Sequence, residues 1–308
     1  MNKVNKLSDV QWYIDKMKSL VVHGKVSPQN IPLYYPDKED KFSQYLSNIG
    51  ISLADFSELH SNSLFENFIV ANYEDLRKIK SKISYSNKDT VPKMFLNIYK
   101  NKFSKKNVNN LIVSQLTIKV CPYCNENYII NRGARHTSAQ LDHFFNKTQN
   151  PLFAICLYNL VPVCATCNRI KSTKDLKISP YDHSVNREQM YITYKPKSMD
   201  YMKNPDDIDV VFEHHGTDGN NILSDIKKLH IDASYKFHTD YIQELIKKAY
   251  VYSKTEIKEL YQQFPALFRD EEEVVRVVFG NYIHPDDLNK RPLSKITQDL
   301  LKELNIIL

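Results

Sequence analysis

The chain has five cysteines, and four of them form two C-x-x-C pairs: Cys121/Cys124 in CPYC and Cys164/Cys167 in CATC. Zinc favours four thiolates in a tetrahedron, and such pairs commonly supply them. In a reducing compartment, paired CxxC motifs read as metal ligands rather than disulfides. One structural zinc on Cys121, Cys124, Cys164 and Cys167 is therefore expected. Two unrelated pairs, or a redox dithiol, are the alternatives. The chain holds no other CxxC, and neither pair opens a helix within a thioredoxin-like βαβ pattern. Cys156 stands among Phe153, Ile155 and Leu157 and reads as a small buried apolar residue.

The 39 residues between the two pairs are too many for a simple zinc ribbon, so another structure must sit there. That stretch and the second pair read AQLDHFFNKTQNPLFAICLYNLVPVCATCNRIKS, with Asp142-His143, Asn159, Asn168 and Lys171 as chemistry-bearing residues. Phosphodiester hydrolysis needs an activated water, a metal on the scissile phosphate and charge stabilisation at the leaving oxygen. A neutral imidazole is a natural general base near neutral pH. A carboxylate and an amide oxygen are hard ligands suited to Mg²⁺ or Mn²⁺. Asp142, His143 and Asn168 provide that set. Lys171 and Lys174, just past the second pair, are candidates for phosphate contact, and Arg132 and Arg135 are weaker ones. His183, His214 and His215 lie outside this frame and are assigned no role.

In the order LDHF, NLVPVC, CATCN, the segment from Cys121 to Asn168 resembles the HNH endonuclease family. That family has a D-H pair on a first strand, an N-L-x-P-x-C loop and a C-x-x-C-H/N helix start. The resemblance implies His143 as general base, Asp142 and Asn168 as ligands of a catalytic Mg²⁺ or Mn²⁺, and Asn159 as the residue that fixes the His143 ring by a hydrogen bond. Asn168 stands where histidine is commoner, which favours an oxygen-rich site. With CPYC before it, ISPY after it and RPLSKIT late in the chain, the sequence is similar to HNH proteins of bacterial antiphage operons, nearest to the HNH subunit of Septu-type systems, encoded beside an ABC-type ATPase. The resemblance thus implies a DNA endonuclease effector switched by a partner ATPase. The chain has no GxxxxGK[ST] of its own. One such site nicks one strand, so a double-strand break would call for a second event or a second copy, as in a homo-oligomer. Two other readings compete: a zinc-stabilised nucleic-acid-binding module without cleavage, and an RNase on the same frame. Binding alone needs none of Asp142, His143, Asn159 and Asn168.

The elements that must position these residues read as mainly α, with a small central ββα-metal (HNH) module stabilised by the four-cysteine zinc site. Residues 1–115 form a basic helical region with net charge +7 up to residue 120, and apolar spacing predicts helices over 64–83 and 92–103. Pro28, Pro32 and Pro36 break the stretch after the first helix. Residues 116–183 form the zinc-containing module, with short β-prone runs at 116–120 and 127–131. Residues 184–308 form a mainly helical region of net charge −4, with β-like runs at 190–194 and 209–213 and helices over 233–264 and 293–304. The basic segments suit a polyanion, while the acidic one favours a protein contact. Only 6 glycines fit a mostly helical chain, and 20 tyrosines suit nucleic-acid stacking. No signal peptide is visible, and no stretch reaches the roughly 18 apolar residues of a membrane span, so a cytoplasmic protein is expected.

Overall fold

Spaced apolar residues become amphipathic helices in the first part of the chain. The computed structural model describes residues 1–22, 38–103, 105–133 and 135–307; Pro28, Pro32 and Pro36 lie outside the described residues. Helices α1 (Gln11–Val22), α2 (Lys38–Asn48), α3 (Leu64–Val70), α4 (Tyr73–Lys82), α5 (Thr90–Lys102) and α6 (Val108–Leu116) precede the first cysteine pair. The run expected as one helix over 64–83 is two, because Asn72 interrupts it. The Asn72 side chain accepts from the Asp75 amide and caps α4, as Ser63 caps α3 by accepting from Glu66. Phe42, Phe65 and Phe95 form an aromatic cluster among α2, α3 and α5, with ring centroids 5.1–6.0 Å apart.

The centre of the chain carries short antiparallel pairs. Strands β1 (Asn131–Arg132) and β2 (His136–Thr137) form one, and β3 (Gln140–His143) and β4 (Leu160–Val163) form the next, followed directly by α7 (Ala165–Lys171). The β-prone runs at 116–120 and 127–131 contribute only Asn131 to a strand, β1, while Leu116 ends α6. They meet in a single bridge, Val120 to Tyr128, which closes the CPYC turn with a hydrogen bond from Cys121 N to Asn127 O. The two later β-like runs were legible: β5 (Met190–Pro196) and β6 (Ile208–His214) pair antiparallel from Met190 opposite His214 to Pro196 opposite Ile208. Helices α8 (Gly216–Lys228), α9 (Ile231–Tyr235), α10 (Thr239–Val251), α11 (Lys254–Gln263), α12 (Glu271–Phe279) and α13 (Ser294–Glu303) complete a mainly helical fold. Among the described residues, no helix is long and apolar enough to cross a membrane.

The three expected regions share one apolar core. Tyr13, Phe68, Phe153, Val161, Ile192, Ile246 and Leu300 all belong to a continuous buried cluster. The divisions at 115 and 183 therefore mark changes of charge and element type, not gaps in packing. Polar ties reinforce this at the CPYC turn. The Asn125 side chain donates to Leu288 O (2.8 Å) and accepts from Lys295 N (2.9 Å), while its carbonyl accepts from Leu293 N (2.7 Å). Tyr235 donates to the Cys124 carbonyl (2.8 Å). RPLSKIT thus acquires a physical role, since its backbone closes over the first cysteine pair. Asn125 is buried with φ of 55°, a left-handed conformation that asparagine tolerates better than alanine. Asn125→Ala combines that backbone cost with the loss of two buried hydrogen bonds, so it is expected to reduce stability by about 2–4 kcal/mol, measured by urea unfolding of the full chain. Asn125→Gly, free of the backbone cost, should lose less; an unshifted midpoint for both would show that the turn does not depend on this clamp.

Candidate active site

The four cysteines of the two CxxC pairs come together. All are buried, their sulfurs lie within 4.8 Å of one another, and Cys124 Sγ is 4.0 Å from Cys164 Sγ. Thiolates about 2.3 Å from a zinc ion define a tetrahedron with edges of about 3.8 Å, so the cluster could hold a metal ion such as zinc with slight contraction. Its surroundings suit thiolates. Cys124 Sγ accepts from Glu126 N (3.4 Å) and Asn127 Nδ2 (3.7 Å), and Cys164 Sγ accepts from Cys167 N (3.4 Å) and Asn127 Nδ2 (3.7 Å). The Cys164 sulfur is also the N-cap of α7, where the helix dipole favours negative charge. Cys156 lies apart and fully buried, and burial pushes its thiol up.

Each cysteine pair delivers one hydrogen-bond donor to Asp142. Tyr123, inside CPYC, donates to Asp142 Oδ2 at 2.7 Å. Lys171, at the end of α7, donates to Asp142 Oδ1 at 3.0 Å and to the His143 carbonyl at 2.8 Å. Asp142 is 4% exposed and Lys171 0%. Burial pushes the Asp142 carboxyl up, and the Lys171 charge and the Tyr123 hydrogen bond oppose that. The expected phosphate contact of Lys171 is thereby corrected: its ammonium is enclosed and committed to the Asp142-His143 pair. Lys174 is redirected too. It donates to the Lys228 carbonyl (2.9 Å) at the end of α8 and does not line the cleft.

His143 ends β3, opposite Leu160 of β4. Its ring is buried edge-on to Tyr99 of α5, with centroids 4.3 Å apart. Nε2 lies 3.0 Å from the Ala154 carbonyl, which can only accept, so Nε2 carries the proton and Nδ1 the lone pair. Nδ1 is buried and has no hydrogen-bond partner among the described residues. Burial, then the Lys147 charge, lowers the ring to about 3, so it is neutral at physiological pH. The resemblance assigned the fixing of this ring to Asn159, and the structure gives that contact to Ala154. Asn159 is fully buried and spends its amide on main chain: it accepts from Phe145 N (2.7 Å) and donates to Phe145 O (3.2 Å) and Phe153 O (3.0 Å). It holds the loop that carries Ala154, one step removed from the imidazole.

Asn168, half-buried on α7, donates through Nδ2 to Gln140 Oε1 (2.7 Å), and no described residue donates to its Oδ1. Asp142, His143 and Asn168 line one open cleft with Asn146, Lys147 and Arg169. Lys147, in the turn after β3, was not anticipated. It is half-buried, with Nζ 5.5 Å from the Tyr99 ring centroid. Tyr99 itself, on a distant helix, gave no local cue. Arg132 and Arg135 lie at the β1–β2 hairpin, outside the cleft lining. His183 meets the Val4 carbonyl at 3.1 Å, as befits a structural residue.

The buried Lys171–Asp142 pair has a measurable consequence. Lys171→Met leaves a buried carboxylate without its cation and is expected to cost about 3–5 kcal/mol in urea unfolding, whereas Lys171→Met with Asp142→Leu should recover much of that loss. A Lys171→Met chain as stable as its parent would mean that Asp142 does not depend on this ammonium. Comparison with family models, curated proteins and solved structures finds no match to the chain.

Proposed function

We propose that the chain is a metal-dependent nuclease of the HNH type that hydrolyses phosphodiester bonds in DNA, on a strand–strand–helix frame braced by structural zinc. The observation that carries this reading is the His143 imidazole: neutral, pinned at Nε2 by Ala154, with an unpartnered Nδ1 beside Asp142 and Asn168. A merely structural histidine would ordinarily satisfy both nitrogens.

In this reading His143 Nδ1 accepts a proton from the attacking water. Although the ring is held to about 3 in the free chain, a bound phosphodiester brings negative charge that favours the imidazolium and strengthens the base. The Ala154 carbonyl keeps the tautomer fixed throughout. Lys147 and Arg169 face the same cleft and take the phosphate contacts first expected of Lys171 and Lys174. Asp142 and Asn168 offer the hard oxygen donors that fit Mg²⁺ or Mn²⁺, which when bound would supply Lewis-acid charge at the scissile phosphate. Tyr123 and Lys171 hold the Asp142 carboxylate in place for that task.

Two measurements test the reading. Purified chain is expected to carry one zinc by elemental analysis, and Cys164→Ser to lose it and aggregate, because the binding energy of such a site is folding energy. Protein without zinc would remove the proposed brace. In a plasmid-nicking assay run beside an RNA substrate, His143→Ala should keep zinc content and DNA affinity while cleavage falls by roughly 10²–10⁴-fold. A variant that cuts as fast as the parent excludes His143 as the base, and a parent that cuts neither substrate with any divalent metal or partner leaves a zinc-stabilised binding module as the better reading.

A further inference from the structure

A second opening adjoins the cleft across one turn of the chain. Asn146, Lys147 and Thr148 line the cleft, and the next two residues, Gln149 and Asn150, line a separate pocket against the segment that joins α4 to α5. The turn is folded on itself, since Gln149 N (3.1 Å) and Asn150 N (2.7 Å) both donate to the Asn146 carbonyl. Its two sides therefore lie closer than the roughly 18 Å that five extended residues can span. Asn87 fastens the turn to the pocket by donating through Nδ2 to the Gln149 carbonyl (2.9 Å). The pocket is polar and cationic: Lys80 and Lys88 line it with Ser84 and Ser86, and no carboxylate does. Lys82 pairs with Asp55 at 2.7 Å, whereas neither Lys80 nor Lys88 forms an ion pair among the described residues. Asp89, next to Lys88 in sequence, is occupied by the Tyr45 hydroxyl (2.9 Å) and Ser86 N (3.3 Å). The Lys80 ammonium stands 5.4 Å from the ring centroid of Phe145, the residue just before the turn.

We propose that this pocket binds a backbone phosphate of the same nucleic-acid strand that is cut in the cleft, a few nucleotides from the reacting one. The inference rests on the nuclease reading and adds to it a second anchor, supplied by the N-terminal helices outside the strand–strand–helix frame. Lys80 and Lys88 bring the charge, and the Ser84 and Ser86 hydroxyls can donate to phosphate oxygens. Contacts of this kind carry no base information, so the pocket sets the register and direction of the strand and leaves sequence choice untouched. With one phosphate held on each side of the 146–150 turn, the strand crosses Thr148 and Gln149, both exposed.

The test compares the full chain with its zinc against Lys80→Gln with Lys88→Gln, two exposed positions. Binding to a short DNA duplex is measured over a range of salt in a His143→Ala background, so that the DNA stays uncut. The double variant should bind several-fold more weakly at low salt, with a log–log salt slope shallower by about one, the share of one neutralised phosphate. Lys254→Gln with Lys258→Gln, which removes the same charge from exposed positions of α11, should leave both unchanged. In the cutting chain, duplexes carrying a single uncharged methylphosphonate are mapped bond by bond. The parent should cut poorly at the bond a fixed few nucleotides from the neutral group on the same strand, and the double variant should be indifferent to that outer position while still sensitive at the scissile one. Equal losses in the two double variants, or an outer position that matters equally with and without Lys80 and Lys88, overturn the second anchor and leave the nuclease reading standing. A parent that neither binds nor cuts DNA overturns both.

Discussion

A carboxylate buried as deeply as Asp142 can stay in place only if the surrounding protein compensates its lost hydration. That requirement organises the centre of the molecule. One compensating donor, the Tyr123 hydroxyl, comes from inside the first cysteine pair, and the other, the Lys171 ammonium, comes from the far end of the helix that the second pair begins. The four-sulfur cluster and the candidate catalytic residues are thus parts of one construction. If the cysteine pairs separate, Asp142 loses both partners. Lys171 also holds the His143 carbonyl, so the two neighbouring residues of β3 are fixed by a single buried cation.

Around that centre, local and distant contacts divide the work. The imidazole is oriented by the loop between β3 and β4, which Asn159 holds in shape through three hydrogen bonds to the main chain of Phe145 and Phe153. The apolar wall behind it is supplied by α5, whose Tyr99 meets the ring edge-on and also lies beneath the Lys147 ammonium. A helix from the basic N-terminal region therefore shapes both the candidate base and the nearest candidate phosphate contact.

Cysteine spacing made the four-cysteine cluster legible, because C-x-x-C pairs have few other uses in a reducing compartment. Asp142, His143 and Asn168, singled out from residue chemistry, line one cleft. The lysines were misread because side-chain type does not reveal direction. Lys171 sits at the buried end of α7, and Lys174 turns to a helix terminus instead of the cleft. Asn159 was placed in the right neighbourhood with the wrong partner, since a sequence pattern does not distinguish a bond to a ring from a bond to the loop that holds it. The strands β5 and β6 were readable from alternation, whereas the break between α3 and α4 depended on a single capping asparagine within an otherwise helical pattern. Nothing local announced that RPLSKIT would close over CPYC, because that contact joins segments far apart in sequence.

The clamp on Asn125 carries a consequence for the order in which the protein assembles. Its partners Leu288 and Lys295 lie 163 and 170 positions further along the chain. During synthesis the first cysteine pair and its Tyr123 emerge long before the residues that close over them. The nascent chain can pair β3 with β4 and wind α7 early, but the turn that aims Tyr123 at Asp142 gains its last supports only when the region around Lys295 arrives. Non-local contacts of this kind are slow to form. The delay works as a timer: a partly made polypeptide has Asp142, His143 and Tyr123 well before it has the rigidity to align them.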